Sequence, residues 1–100
     1  MNKLNFEITS KALSDIETIT NYIAKDNKNA ASNLVNLLYK KFDLLCLYPD
    51  IGKSKPDFIF LDVKFYIVKR NYLIVYRIIN SDTLRILRIL TTYQDICTIL

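Results

Sequence analysis

The chain predicts an α+β domain: one strand, two helices, then three strands, with the helices packed on one face of a small antiparallel sheet. Three observations predict it. A short run near the start alternates apolar and polar residues, two long runs place apolar residues at three- and four-residue spacing, and three β-rich runs follow the only glycine, Gly52.

Leu4, Phe6 and Ile8 alternate with Asn5 and Glu7, the period of a half-buried strand. Thr9-Ser10 then supplies a helix cap, and Leu13, Ile16, Ile19 and Ile23 recur on one stripe to about Lys25. Ser14 with Glu17 also fits a capping box, which leaves open a start one turn later. Asp26 to Asn29 gives turn-formers and a second cap. Ala31, Leu34, Leu38, Phe42 and Leu45 follow on the face of a longer helix that stops near Tyr48-Pro49. So short a connection makes the helices an antiparallel hairpin whose apolar stripes need a sheet beneath them. Pro49 to Asp57 holds the glycine and both prolines and reads as a loop. Val63 to Val68, Tyr72 to Ile79 and Thr83 to Leu90 read as strands joined by hairpin turns at Lys69-Arg70-Asn71 and Asn80-Ser81-Asp82. The first strand is expected to pair with one of these, and Tyr93 to Leu100 to form a short closing helix. The whole is one domain, 1–100, around one core.

Composition narrows the function. With 51% hydrophobic and 24% charged residues the chain is too apolar for disorder and too charged for a membrane span. Residues 1–7 lack an apolar signal core, so the protein is expected in the cytoplasm. It has no histidine and only Cys46 and Cys97, which excludes histidine-based catalysis and the usual zinc and redox motifs. No metal or other cofactor is expected, and both thiols read as small apolar side chains, with a disulfide between them as the alternative. The net charge of +4 suits an anionic partner. It is concentrated late: Lys64, Lys69, Arg70, Arg77, Arg85 and Arg88 face only Asp62 and Asp82 in that stretch.

The order of elements and several local signatures resemble the RelE/ParE family of type II toxin–antitoxin toxins over nearly the whole chain, nearer to its ParE-like branch. The matching pieces are Ala12 to Ile19 with Tyr22-Ile23-Ala24, Asn29-Ala30-Ala31, Leu47 to Gly52, Tyr72 to Arg77, and Leu87 to Leu90 followed by Tyr93-Gln94-Asp95. The resemblance implies a growth-arresting toxin of the plasmid-stabilisation type, bound by a cognate antitoxin and reaching operator DNA only through it. ParE-like members are associated with inhibiting DNA gyrase by protein contact, and RelE-like members with endoribonuclease action on mRNA at the translating ribosome. A third reading is an inactive member that serves only as an antitoxin-binding module.

Cleavage of RNA by its 2′-hydroxyl needs a proton acceptor, a cation for the charged phosphorane and an acid for the leaving oxygen. RelE-like toxins supply these from Lys, Arg, Tyr or His. Three residues before Tyr76, where that branch often has an arginine, this chain has Leu73; where many members have a histidine after the last strand, it has Thr91. Whether the chain is an enzyme therefore stays open. Lys69, Arg77, Arg85, Arg88 and Tyr93 are the candidates for a different nuclease set, and the same residues with Arg70 are the candidates for target contact. The plainer alternative makes Arg77 and Arg85 solvated strand residues and Lys69-Arg70 a polar turn. Arg88, flanked by Leu87 and Ile89, must reach solvent or a partner acid such as Asp95. Tyr72 and Tyr76 read as packing residues rather than a base-stacking platform.

Overall fold

The computed structural model describes residues 3–54 and 63–91. Its elements are β1 (Asn5–Ile8), α1 (Ser10–Ala24), α2 (Lys28–Leu47), a 3₁₀ turn at Pro49–Ile51, β2 (Lys64–Val68), β3 (Tyr72–Ile78) and β4 (Thr83–Thr91). Of the two possible starts for α1, the earlier one is used. The Thr9 hydroxyl accepts the Ala12 N–H at 3.1 Å, so Ser14 lies inside the helix rather than at its cap. Asn27 caps α2 in the same way, accepting the Ala30 N–H at 3.0 Å. Each satisfies one of the donors that a helix start leaves without a partner.

The sheet order is β1-β4-β3-β2. It is mixed, which corrects the expectation of an antiparallel sheet: β1 runs parallel to β4, from Asn5 beside Thr83 to Ile8 beside Ile86, while β2, β3 and β4 form the antiparallel part. Two hairpins reverse the chain twice between β2 and β4, so β4 points as β2 does, and β1 enters along the same direction at its free edge.

Leu34, Leu38, Phe42, Leu45 and Cys46 of α2 pack with Ala12 and Ile16 of α1 against Val68, Ile74, Tyr76, Leu84, Ile86 and Ile89 of the sheet. Each of the large aliphatic and aromatic residues here contributes about 1.5–3 kcal/mol by leaving water. Phe6 and Tyr39 close the cluster around Phe42, with ring centroids 5.4 and 5.3 Å from it. Cys46 is a free, buried thiol, and burial pushes its pKa up, as befits a small apolar side chain. Cys97 and the segment Tyr93 to Leu100 lie outside the described residues.

The sheet's second face carries its own apolar cluster: Val63, Leu73, Val75 and Leu90, packed with Phe65 and Leu87. The alternation that separates the two faces breaks in β4. Val75 pairs with Arg88 but Tyr76 pairs with Ile86, so Leu87 is an extra residue, a β-bulge. Before it, Leu84 and Ile86 face the helices; after it, Ile89 does, and Leu90 turns to the other face. Ile86 and Leu90 therefore do not share a face, although unbroken alternation would put them together.

Candidate functional site

Two local devices fix the region where the candidate residues lie. The first is at the bulge. The Thr9 N–H donates to the Ile86 carbonyl at 3.1 Å, and the Thr9 hydroxyl to the Leu87 carbonyl at 3.0 Å. Just beyond, Asp15 of α1 accepts Arg88 Nε at 2.7 Å and Nη2 at 2.9 Å, and also the Ile89 backbone N–H at 3.0 Å. One carboxylate thus replaces a strand partner for β4 where β1 has ended, and holds a guanidinium two-pronged. Arg88 and Asp15 side chains are only 22% and 16% exposed, so the pair is shielded from water. The Asp15 hydrogen bonds raise the Arg88 pKa further above its already high range. Arg88 does find an acid, but it is Asp15, on the facing helix and 73 residues away in sequence; Asp95 lies outside the described residues.

The second device is at Tyr76. Its ring is fully buried, and its hydroxyl donates to the Pro49 carbonyl at 2.7 Å while accepting the Gly52 N–H at 3.0 Å. Desolvation pushes the phenol up to about 12, against the lowering effect of the Gly52 N–H. Tyr76 therefore ties the turn after α2 to the centre of the sheet. Tyr72, half-buried, packs on the same core.

Among the described residues the other candidate cations fall into two separate groups. Arg85 pairs with Glu7, its register neighbour on β1, at 2.7 Å, with both side chains about half exposed. Arg77 is the β3 neighbour of Arg85 and is exposed. Lys69 and Arg70 sit in the β2–β3 turn, at the opposite end of β3. Tyr72 and Arg77 are five residues apart, which at ~3.3 Å per residue separates the two groups by about 17 Å along the strand. Leu73, in the place of the arginine found in the nuclease branch, is buried in the second apolar cluster. Thr91 ends β4 and is exposed. Tyr93 lies outside the described residues. Among the described residues no three His, Cys, Asp or Glu side chains gather as a metal site. No described helix is long and apolar enough to cross a membrane.

A helical hairpin on a four-stranded mixed sheet, with an ion-paired bulge in its last strand, defines a small two-layer α+β domain. A solved structure titled "Chromosomal ParDE TA system from P. aeruginosa" is similar in fold, with a TM-score of 0.69, 19% sequence identity, and coverage of 89% of this chain and 96% of that one. The sequence model of the family described as "ParE toxin of type II toxin-antitoxin system, parDE" matches residues 6–96, and the chain belongs to that family. No curated protein matches.

Proposed function

We propose that this ParE-family toxin arrests growth by binding DNA gyrase through protein contact, and that a cognate antitoxin neutralises it. The observation that carries this reading is the dispersal of the cations. A phosphoryl-transfer centre needs its cation and its proton carriers around one phosphorus atom. Here Arg88 is held by Asp15, Arg85 by Glu7, and Lys69-Arg70 stand at the far end of the strand from Arg77. Exposed charges spread along a surface suit a protein partner instead. In this reading Lys69, Arg70 and Arg77 contact the target, Arg85 contributes at its rim, and Arg88 is structural. The antitoxin's acidic segment covers the same basic surface in an ordered form.

Purified protein is expected to inhibit supercoiling of relaxed plasmid by gyrase, and added antitoxin to relieve the inhibition. Unimpaired supercoiling together with codon-biased mRNA cleavage, lost in Arg77→Ala/Arg85→Ala, overturns it in favour of the ribosome-dependent nuclease.

A further inference from the structure

Where α1 crosses the edge of β4, beyond the end of β1, the fold holds a cavity of about 200 Å³ lined by Asp15, Thr18 and Ile19 on one side and Arg88 to Thr91 on the other. The Asp15–Arg88 pair that braces the bulge forms its polar wall, and only one side of the guanidinium is used there. Asp15 accepts from Nε and Nη2, and the Arg88 side chain makes no hydrogen bond or ion pair beyond these. The planar guanidinium therefore keeps its outer edge, where Nη1 and Nη2 direct parallel N–H groups, as an open fork. Because no buried side-chain nitrogen or oxygen among the described residues lacks a hydrogen bond, the open donors lie where a ligand can reach them.

Such a fork accepts a second carboxylate, or a phosphate, in two prongs. It is also held still: Asp15 bonds through both oxygens and grips the Ile89 N–H as well, so little side-chain freedom is left to lose on binding. Thr18 stands one turn past Asp15 on the same face of α1, and its hydroxyl makes no hydrogen bond. Ile19 and, one turn further on, Tyr22, 74% exposed, give an apolar flank. Lys11, exposed and one turn before Asp15, offsets the carboxylate, so an arriving anion meets a net positive charge from Lys11, Asp15 and Arg88 together.

The dimensions select among anions. Drug-sized ligands need roughly 300–1,000 Å³, and a nucleic-acid backbone is broader still, so the occupant is small. Bare phosphate would fill the fork and leave the flank of Ile19 and Tyr22 in water, whereas a carboxylate on a short apolar body uses both. We propose that this cavity is a binding site for a small carboxylate with an aromatic or branched apolar body. The outer edge of Arg88 and the Thr18 hydroxyl hold the carboxylate, and the body lies along Ile19 toward Tyr22. Arg88 thus serves β4 through one edge and a ligand through the other, independently of the toxin's target.

The test titrates the full-length protein, at fixed ionic strength, with phenylacetate, its neutral counterpart phenylacetamide, and inorganic phosphate, followed by ¹H–¹⁵N NMR. Phenylacetate is expected to shift the amides of Thr18, Ile19 and Ile89 and the Arg88 Nε–H saturably, with a Kd on the order of 1 mM for a ligand of about ten non-hydrogen atoms. Phenylacetamide and phosphate are each expected to bind at least about tenfold more weakly. Thr18→Val, which keeps the shape of the side chain and leaves the ion pair intact, is expected to raise the phenylacetate Kd about fivefold. Arg88→Lys, which keeps the charge and loses the fork, is expected to abolish binding; should it fail to fold, Thr18→Val and the neutral ligand still decide. Absence of saturable shifts at these positions, or unchanged affinity in Thr18→Val, overturns the site. Equal binding of phenylacetamide overturns the role of the Arg88 fork, and equal binding of phosphate overturns the assignment to a carboxylate with an apolar body.

Discussion

Replacing Gly52 by alanine tests the Tyr76 anchor with a single methyl group. A Cβ at this position would fall onto the Tyr76 hydroxyl oxygen and within 2.7 Å of both Cε1 and Cζ of the ring. Gly52 has φ of −69° and ψ of 159°, which any residue adopts, so the glycine is required by the closeness of the ring and not by its backbone. With an unobstructed site the change would stabilise by about 0.4–1 kcal/mol through the unfolded chain. Here either the ring moves within a fully buried setting or the turn lifts away from it. Overpacking of this kind costs about 1–3 kcal/mol, and breaking the Gly52 to Tyr76 and Tyr76 to Pro49 hydrogen bonds adds about 1 kcal/mol for each. Gly52→Ala is therefore expected to destabilise by about 2–4 kcal/mol, read from the urea midpoint at unchanged m-value. In Tyr76→Phe the same methyl is expected to cost less, because the oxygen it meets is gone while the ring carbons remain. A Gly52→Ala cost below about 0.5 kcal/mol, or equal costs in both backgrounds, refutes the close approach.

Two further predictions follow from the same geometry. The Tyr76 phenol titrates near 10 in the unfolded chain and at about 12 when folded, so its protonated form is favoured by folding. The associated stability, of order 2–3 kcal/mol, is fully present below pH 10 and is lost as pH rises to about 12; Tyr76→Phe is expected to be less stable at neutral pH but to lack that component of the alkaline loss, as followed by circular dichroism. Asp15→Ala leaves the shielded Arg88 guanidinium and the Ile89 N–H without their acceptor and is expected to cost about 3 kcal/mol, whereas Asp15→Ala combined with Arg88→Met recovers a large part of it in thermal unfolding. Equal stability of the single and double variants would show that the pair does not hold the bulge.

Local pattern was enough for the elements because their signals lie within a few residues of one another. The stripe through Leu34, Leu38, Phe42 and Leu45, the caps at Thr9 and Asn27, and the two hairpin turns each follow from spacing and turn chemistry. The order of those elements, with the short pieces around Leu47 to Gly52 and Tyr72 to Arg77, was enough to point to the toxin family. The direction in which β1 joins β4 was not legible, because an alternating strand pairs equally well with either sense of neighbour.

The site was legible only as a set of residue types. A run such as Leu84 to Leu90 announces a strand, yet the extra residue at Leu87 shows only in its register against Val75 and Tyr76. That bulge decides which apolar residues share a face. Proximity in sequence points to Asp95 as the acid for Arg88, whereas the structure supplies Asp15, brought across by the packing of α1 on the edge of β4. Likewise, nothing local marks Gly52 as the residue that must make room for a tyrosine 24 positions later. The chain by itself thus determined what depends on neighbours in sequence: the periodicity of each element, the caps, the absence of histidine and the late concentration of positive charge. Tertiary structure decided what depends on contacts between distant segments: which cations are neutralised, which stand exposed at the two ends of the sheet, and which carbonyls the buried phenol reaches. Side-chain charge is encoded locally, but its surroundings exist only once the strands and helices have met.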